Sequence, residues 1–260
     1  WLAARGKDHH IASATFLTTL IDFRDSGDIR VFIDDEQLQQ LDKDMEEKGV
    51  FEGRALKNTF SLLRANDLIW TFVVNNYLLG KEPFPFDLLY WNDDSTNMPA
   101  EMHRFYLRDM YRDNKLVIPG ALNIDGAPID LGKIKTPSYF LSTRDDHIAP
   151  WKATYAATQL FGGPVTFTLS MSGHVAGVIN PPAANKYGHW TADENPPDPD
   201  RWLAHARQHD GSWWEHWNGW VRQYAGGKVP ARQPKNAIEP APGSYVKMKA
   251  DLSGPTDPQP

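Results

Sequence analysis

Ser138-Tyr-Phe-Leu-Ser142, then Thr143-Arg-Asp-Asp-His-Ile-Ala-Pro150, and further on Val165-Thr-Phe-Thr-Leu169 followed by Ser172-Gly-His-Val175, are the stretches on which the reading of this chain turns. Ser138–Ser142 and Val165–Leu169 are short apolar and β-branched runs of the kind that form buried strands. Between them, Pro150-Trp-Lys-Ala-Thr-Tyr-Ala-Ala-Thr-Gln-Leu160 has helical composition, with proline at an early helical position where its missing N–H does no harm. Strand, helix and strand at this spacing predict a βαβ crossover and therefore a parallel sheet. In an open parallel sheet, reactive groups gather beyond the carboxyl ends of the strands. Asp146 follows one strand directly and His174 follows the next.

An acid followed by a histidine, each just past consecutive strands, matches the α/β-hydrolase order of nucleophile, Asp/Glu and His. The residue types suit that chemistry. A neutral imidazole takes the nucleophile's proton, and a carboxylate fixes the imidazole tautomer and stabilises the imidazolium that forms. Taken singly, an Asp in a loop is usually a turn former and a His usually structural; their order and placement on these elements favour the catalytic reading. Asp145 competes for the acid's role, but the Asp-x-x-x-Pro spacing to Pro150 favours Asp146.

The third member of such a triad is missing. A nucleophile elbow has the form Gly-x-Ser/Cys-x-Gly between a strand and a helix; no such motif occurs in the sequence, which has no Cys. Gly211-Ser212 and Gly243-Ser244 lack the frame, and Ser172 shares the loop of His174. Trp1-Leu-Ala-Ala-Arg-Gly6 reads as the last turn of a helix closed by a glycine cap. The expectation is a chain cut short at its N-terminus, with the nucleophile upstream and no activity of its own.

Working outward, Ile11–Thr19 reads as a buried strand that ends an N-terminal part of the core over 1–21. Residues 22–130 lack a βα rhythm, as expected of a lid or cap insertion. Within them Glu36–Lys48 is helix-prone, Leu62–Leu79 is largely apolar, Pro83–Phe86 breaks structure, Tyr90–Asn97 forms a polar aromatic loop, and Met102–Arg112 is helical. The core resumes over 131–225, where Trp202–Tyr224 reads as one Trp-rich helical region. Residues 226–260, dense in Pro and Gly, read as an extended tail. Trp213, Trp217 and Trp220 share a helical face; docking on the sheet is the ordinary reading of that face, and contact with a growing polymer the alternative. The 260 residues are 41% hydrophobic and 23% charged with net charge −6, which argues against nucleic-acid or anionic-membrane partners. No apolar run approaches the ~18 residues of a membrane span, and no secretory signal opens the chain. The absence of Cys excludes disulfides and thiolate metal sites, so a cytosolic setting is the default.

From Ala14-Thr-Phe-Leu-Thr-Thr-Leu-Ile-Asp-Phe23 onward the sequence resembles class I polyhydroxyalkanoate synthases. The resemblance continues through Leu89-Tyr-Trp-Asn-Asp-Asp-Ser-Thr-Asn97, Arg144–Trp151, Ser172-Gly-His-Val-Ala-Gly-Val-Ile-Asn-Pro-Pro182, Gly211-Ser-Trp-Trp214 and Ile238–Lys247. It implies a partial α/β-hydrolase fold carrying a lid, and an acyltransferase that polymerises (R)-3-hydroxyacyl-CoA, with 3-hydroxybutyryl-CoA the expected monomer, and releases CoA. Asp146 and His174 take the family's Asp and His positions, with a Cys nucleophile about a dozen residues before Trp1, as the elbow-helix layout requires; the resemblance implies that His174 generates the thiolate and that Asp146 either orients His174 or assists deprotonation of the incoming 3-hydroxyl. The resemblance further implies that His147 lies near the mouth of the site and that Arg64, Tyr106 and Asn114 line a substrate channel, although each also suits a structural role. No cofactor or metal is implied, CoA being part of the substrate. The implied partners are hydroxyacyl-CoA, the growing polyester, the surface of cytoplasmic polymer granules and a second subunit. An esterase or polyester depolymerase, and a non-catalytic dimerisation or granule-surface module, are the competing readings.

Overall fold

Strand pairing explains most of the architecture. The computed structural model describes residues 1–63, 65–83, 95–233 and 235–248. Its strands in chain order are β1 (Ala14–Leu17), β2 (Val50–Phe51), β3 (Met98–Pro99), β4 (Asn123–Ile124), β5 (Ala127–Pro128), β6 (Ser138–Thr143), β7 (Val165–Ser170), β8 (His189–Thr191) and β9 (Arg207–His209). Five of them form one sheet in the order β1-β6-β7-β8-β9. β1 and β7 flank β6 in parallel, with Leu17 opposite Leu141 and Thr143 opposite Ser170. Every residue of β6 is buried, as expected of a parallel strand covered on both faces.

Alternation along β6 sorts its side chains between two cores. Phe140 faces Phe167, Leu169, Trp151, Tyr155, Phe161 and Trp202. Its ring stacks on Phe16 of β1 at 4.5 Å, and Phe167 meets Trp202 edge-on at 4.9 Å. On the opposite face, Tyr139 and Leu141 pack with Trp213, against which Trp214, Trp217, Trp220 and Val178 also lie. The Trp face therefore docks on the sheet, and it includes Trp214, which helical spacing alone had set apart.

The expected parallel pairing holds over β1, β6 and β7, whereas two expected helices are corrected. β8 and β9 extend the sheet antiparallel at one edge. The region from Trp202 to Tyr224 is not one helix: β9 separates the helix Pro199–His205 from the helix Trp214–Val221. β8 and β9 escaped the sequence reading because His189-Trp-Thr191 and Arg207-Gln-His209 are too short and polar to show strand alternation. The expected 150–160 helix is likewise two pieces, Trp151–Tyr155 and Ala157–Leu160.

Between β1 and β6 the chain builds a helical segment with a small core of its own, made by Met45, Phe51 and Ala100. Its helix Asp35–Lys48 starts at Asp34, whose carboxylate accepts from Gln37 N at 2.8 Å, and stops at Gly49 in the left-handed region. Helix Ala100–Phe105 continues as a wider π-turn through Tyr106–Arg112. Arg104, Arg108 and Arg112, four residues apart on its surface, pair with Asp42 and Asp35 of the first helix. Tyr90–Asp94 and Phe84–Phe86, part of the stretches read above as loop and breaker, lie outside the described residues.

Phe167→Ala should lower unfolding stability by about 3–5 kcal/mol, because the aromatic box around it cannot collapse into the space left. A urea titration checks this, and an unchanged midpoint would contradict the packing described.

Candidate active site

Because Thr143 and Ser170 end β6 and β7 side by side, the loops after them leave the sheet together. Arg144 N donates to Ser170 O at 2.8 Å and Asp145 N to Ser172 O at 3.0 Å, which carries the pairing beyond the strands. Asp146 then turns inward. Its Oδ1 accepts from the backbone N–H groups of Ile148 at 2.8 Å and Ala149 at 2.9 Å. Its Oδ2 accepts from Thr143 Oγ1 at 3.2 Å and lies 2.8 Å from His174 Nδ1. An ionised carboxylate only accepts, so Nδ1 carries the hydrogen and Nε2 is left as the basic nitrogen. The Asp146 side chain is 0% exposed and that of His174 30%, so the acid is buried while the imidazole reaches the surface of the crevice.

Burial alone would push the Asp146 pKa up. The His174 hydrogen bond, the two backbone donors and the attraction of the imidazole outweigh it, and the carboxyl is held below its usual range. Asp146 is therefore a carboxylate at neutral pH, as an orienting acid must be.

His174 is set by a tight approach of backbone to side chain. Gly177 N donates to Gly173 O at 2.9 Å, so His174 begins a helical turn that includes Ala176–Ile179. A Cβ on Gly177 would lie 2.5 Å from both Met171 O and Thr143 Cγ2. Thr143 thus bears on both loops: its methyl abuts Gly177 in the helical turn after His174, and its hydroxyl donates to Asp146.

The other expected residues divide. Asp145 is exposed and pairs with Arg144, so Asp146 alone faces His174. His147 is half-buried, and its carbonyl would lie 3.0 Å from a Cβ on Gly27, whose φ of +73° also calls for glycine. Tyr106 packs edge-on against Phe23 at 5.9 Å and Tyr111 at 5.3 Å. Asn114, in the left-handed region at φ +50°, gives its Nδ2–H to Asp22 Oδ1 at 2.8 Å and accepts from Phe23 N at 2.9 Å. Tyr106 and Asn114 thereby fasten the two ends of the helical segment to each other. That base meets the acid's loop through Gly27, and the Phe23–Asp25 turn packs on helix Trp151–Tyr155. Arg64 lies outside the described residues. The sequence reading missed Thr143 and Gly177; the position of Thr143 as the last strand residue before the acid was the available signal. A cavity of about 430 Å³, lined by Thr191, Arg201, Trp202 and Arg207 among others, lies elsewhere. Antiparallel β8 carries Thr191 back beside Thr168, away from the strand tips, so the hydrogen-bonded pair rather than that cavity marks the candidate site.

The profile of the alpha/beta hydrolase fold matches residues 1–181, which span β1, β6, β7 and both partners of the pair. The chain belongs to the α/β-hydrolase fold family. Within that family it is 49% identical over 251 residues to the poly(3-hydroxyalkanoate) polymerase subunit PhaC of Rhizobium meliloti, covering 95% of this chain and 41% of the relative. It is also 49% identical over 261 residues to PhaC of Cupriavidus necator, at 96% and 44% coverage. A poly(3-hydroxyalkanoate) polymerase of Methylorubrum extorquens is 46% identical over 253 residues, at 95% and 42%. The chain thus spans about two-fifths of the length of these relatives. No helix among the described residues is long and apolar enough to cross a membrane.

The lowered pKa of Asp146 gives a signed pH dependence. A carboxyl depressed on folding adds stability above its unfolded pKa of about 4 and loses it as pH falls through the lower folded value. The stability advantage of the parent over Asp146→Asn should hold from neutral pH to about 4 and shrink below it. Urea unfolding of both proteins at a series of pH values tests this; a gap independent of pH down to the acid limit would count against it.

Proposed function

We propose that this chain supplies the general base and its orienting acid to a polyhydroxyalkanoate polymerase acting on (R)-3-hydroxyacyl-CoA. The observation that carries the proposal is the 2.8 Å contact between Asp146 Oδ2 and His174 Nδ1 at neighbouring strand tips, in a chain that matches named polymerases over almost its whole length. The nucleophile in this reading is a cysteine on polypeptide outside these 260 residues, as the resemblance implies.

The proton path follows from the pair. His174 Nε2 takes the proton from the thiol, and the thiolate attacks the thioester carbonyl of the acyl-CoA. The bond from the acyl carbon to the CoA sulfur breaks, and CoA leaves as a thiol with the proton carried by the imidazolium. The 3-hydroxyl of another unit then gives its proton to the same base and attacks the enzyme thioester; an ester forms and the enzyme thiol is regenerated. Asp146 holds the Nδ1–H tautomer throughout. His147 lies at the mouth of this site, while Tyr106 and Asn114 border the substrate's path and close the base of the lid through Asp22 and Phe23. No cofactor takes part, since CoA enters as part of the substrate.

The lid also offers a surface for assembly. Trp70, Tyr77, Leu78 and Leu79 are all exposed on its helical segments, Tyr77 at 84%, a density of bare apolar groups that marks interaction sites. In this reading the face joins two subunits and borders the polymer granule in the cytoplasm. Leu78→Glu should weaken self-association in sedimentation velocity; identical sedimentation of parent and variant across concentrations would remove the face from the dimer.

The activity test joins the segment of the Cupriavidus necator relative that precedes the matched region to residue Trp1 of this chain. The fusion should release CoA from 3-hydroxybutyryl-CoA and form polymer. His174→Ala should abolish release, and Asp146→Asn should slow it by a factor of about 10⁴, the cost of losing the orienting carboxylate in a serine protease. Turnover that survives His174→Ala would sink the assignment of the base. Free 3-hydroxy acid in place of polymer would point to the esterase reading instead.

A further inference from the structure

His174 stands at the start of a short helical stretch whose ladder continues with Ile179 N to Val175 O at 3.0 Å and Asn180 N to Ala176 O at 3.1 Å. The last carbonyls of such a stretch have no partner within it, and backbone N–H groups just past the end commonly serve them. Here the chain removes that option. Asn180 is followed by Pro181 and Pro182, neither of which has an N–H.

The missing donors come from another part of the chain. Trp213 Nε1 donates to Val178 O at 3.0 Å, Trp214 Nε1 to Ile179 O at 2.9 Å, and Ser212 Oγ to Asn180 O at 2.6 Å. Three consecutive side chains thus satisfy three consecutive carbonyls. The Ser212 hydroxyl is itself fixed by accepting from Trp214 N at 3.2 Å. The two indoles stack at 4.2 Å, and Trp213, fully buried, packs on Tyr139 and Leu141 of β6. The loop that ends β6 carries Asp146. One short segment therefore bears on the histidine's helix through hydrogen bonds and on the acid's strand through packing.

We propose that Ser212, Trp213 and Trp214 are positioning residues that hold His174 in hydrogen-bonding register with Asp146. This rests on the reading of Asp146 and His174 as the acid–base pair. The clamp fixes the far end of the stretch that begins with His174, so its loss lets the imidazole drift from the carboxylate without unfolding the core.

The test reads the imidazole itself, by two-bond ¹H–¹⁵N NMR on the 260-residue chain. The parent should show His174 as the Nδ1–H tautomer, with a slowly exchanging Nδ1 proton. Trp214→Phe keeps an aromatic ring and deletes one donor, and Ser212→Ala deletes another. Each should leave the thermal midpoint within a few degrees of the parent's while the Nδ1 proton exchanges about two- to tenfold faster, the factor one net hydrogen bond represents. Ser212→Thr, which restores a hydroxyl, should return exchange to the parent rate. Trp217→Phe is the matched control: it removes the indole bond to Thr15 Oγ1 on β1, 2.9 Å long, and should leave the His174 signal unchanged. If Trp214→Phe and Ser212→Ala behave like Trp217→Phe while Asp146→Asn abolishes the protected proton, the clamp is overturned and the pair stands. If Asp146→Asn also leaves that proton protected, the acid–base reading has failed.

Discussion

Everything at the candidate site depends on the in-register parallel pairing of β6 with β7. With Thr143 opposite Ser170, an acid three residues past one strand meets a histidine four residues past the other, the second loop turning through Ser172 at a left-handed φ of +76°. A slip of one residue would turn every β6 side chain to the opposite face, exchanging Phe140 with Tyr139 and Leu141 between cores that do not match. The aromatic packing on the two faces is thus what fixes the position of a carboxylate beyond the end of the strand. Stability and site geometry have a common cause here.

The electrostatics follow from the same geometry. A carboxylate with no exposed surface is costly unless its lone pairs are used, and Asp146 uses them on Ile148 N, Ala149 N, Thr143 Oγ1 and His174. Three of the four come from its own loop or strand, so the direction of the carboxylate is set largely by its own segment. His174 then meets an acceptor already aimed. The only freedom left to the pair is the placement of the imidazole, which is where the Ser212–Trp214 segment bears.

What the sequence disclosed and what it hid divide along physical lines. β6, β7 and the two loops were legible because apolar β-branched runs beside Asp and His carry local signals. The helix Asp35–Lys48 was legible through its charge pattern. β8 and β9 were hidden because three-residue polar strands are stabilised by their neighbours and not by their own composition. Asn114 shows the limit for the site: the resemblance implied a channel position, yet its bonds to Asp22 and Phe23 join residues some ninety positions apart, which no local pattern reveals. The double proline at 181 and 182 was visible throughout, but its meaning lies in the donors it lacks, and those become apparent only when the opposing indoles are seen.

The tie between Asn114 and Asp22 also bears on how such a protein changes over generations. One amide side chain closes the neck of the excursion between β1 and β6, so the polypeptide beyond the neck is a loop whose ends are already joined. Lengthening a closed loop costs little, growing only with the logarithm of its length. The excursion can therefore be reshaped or exchanged as a cassette, altering what enters the crevice, while the strand register beneath it stays as it is.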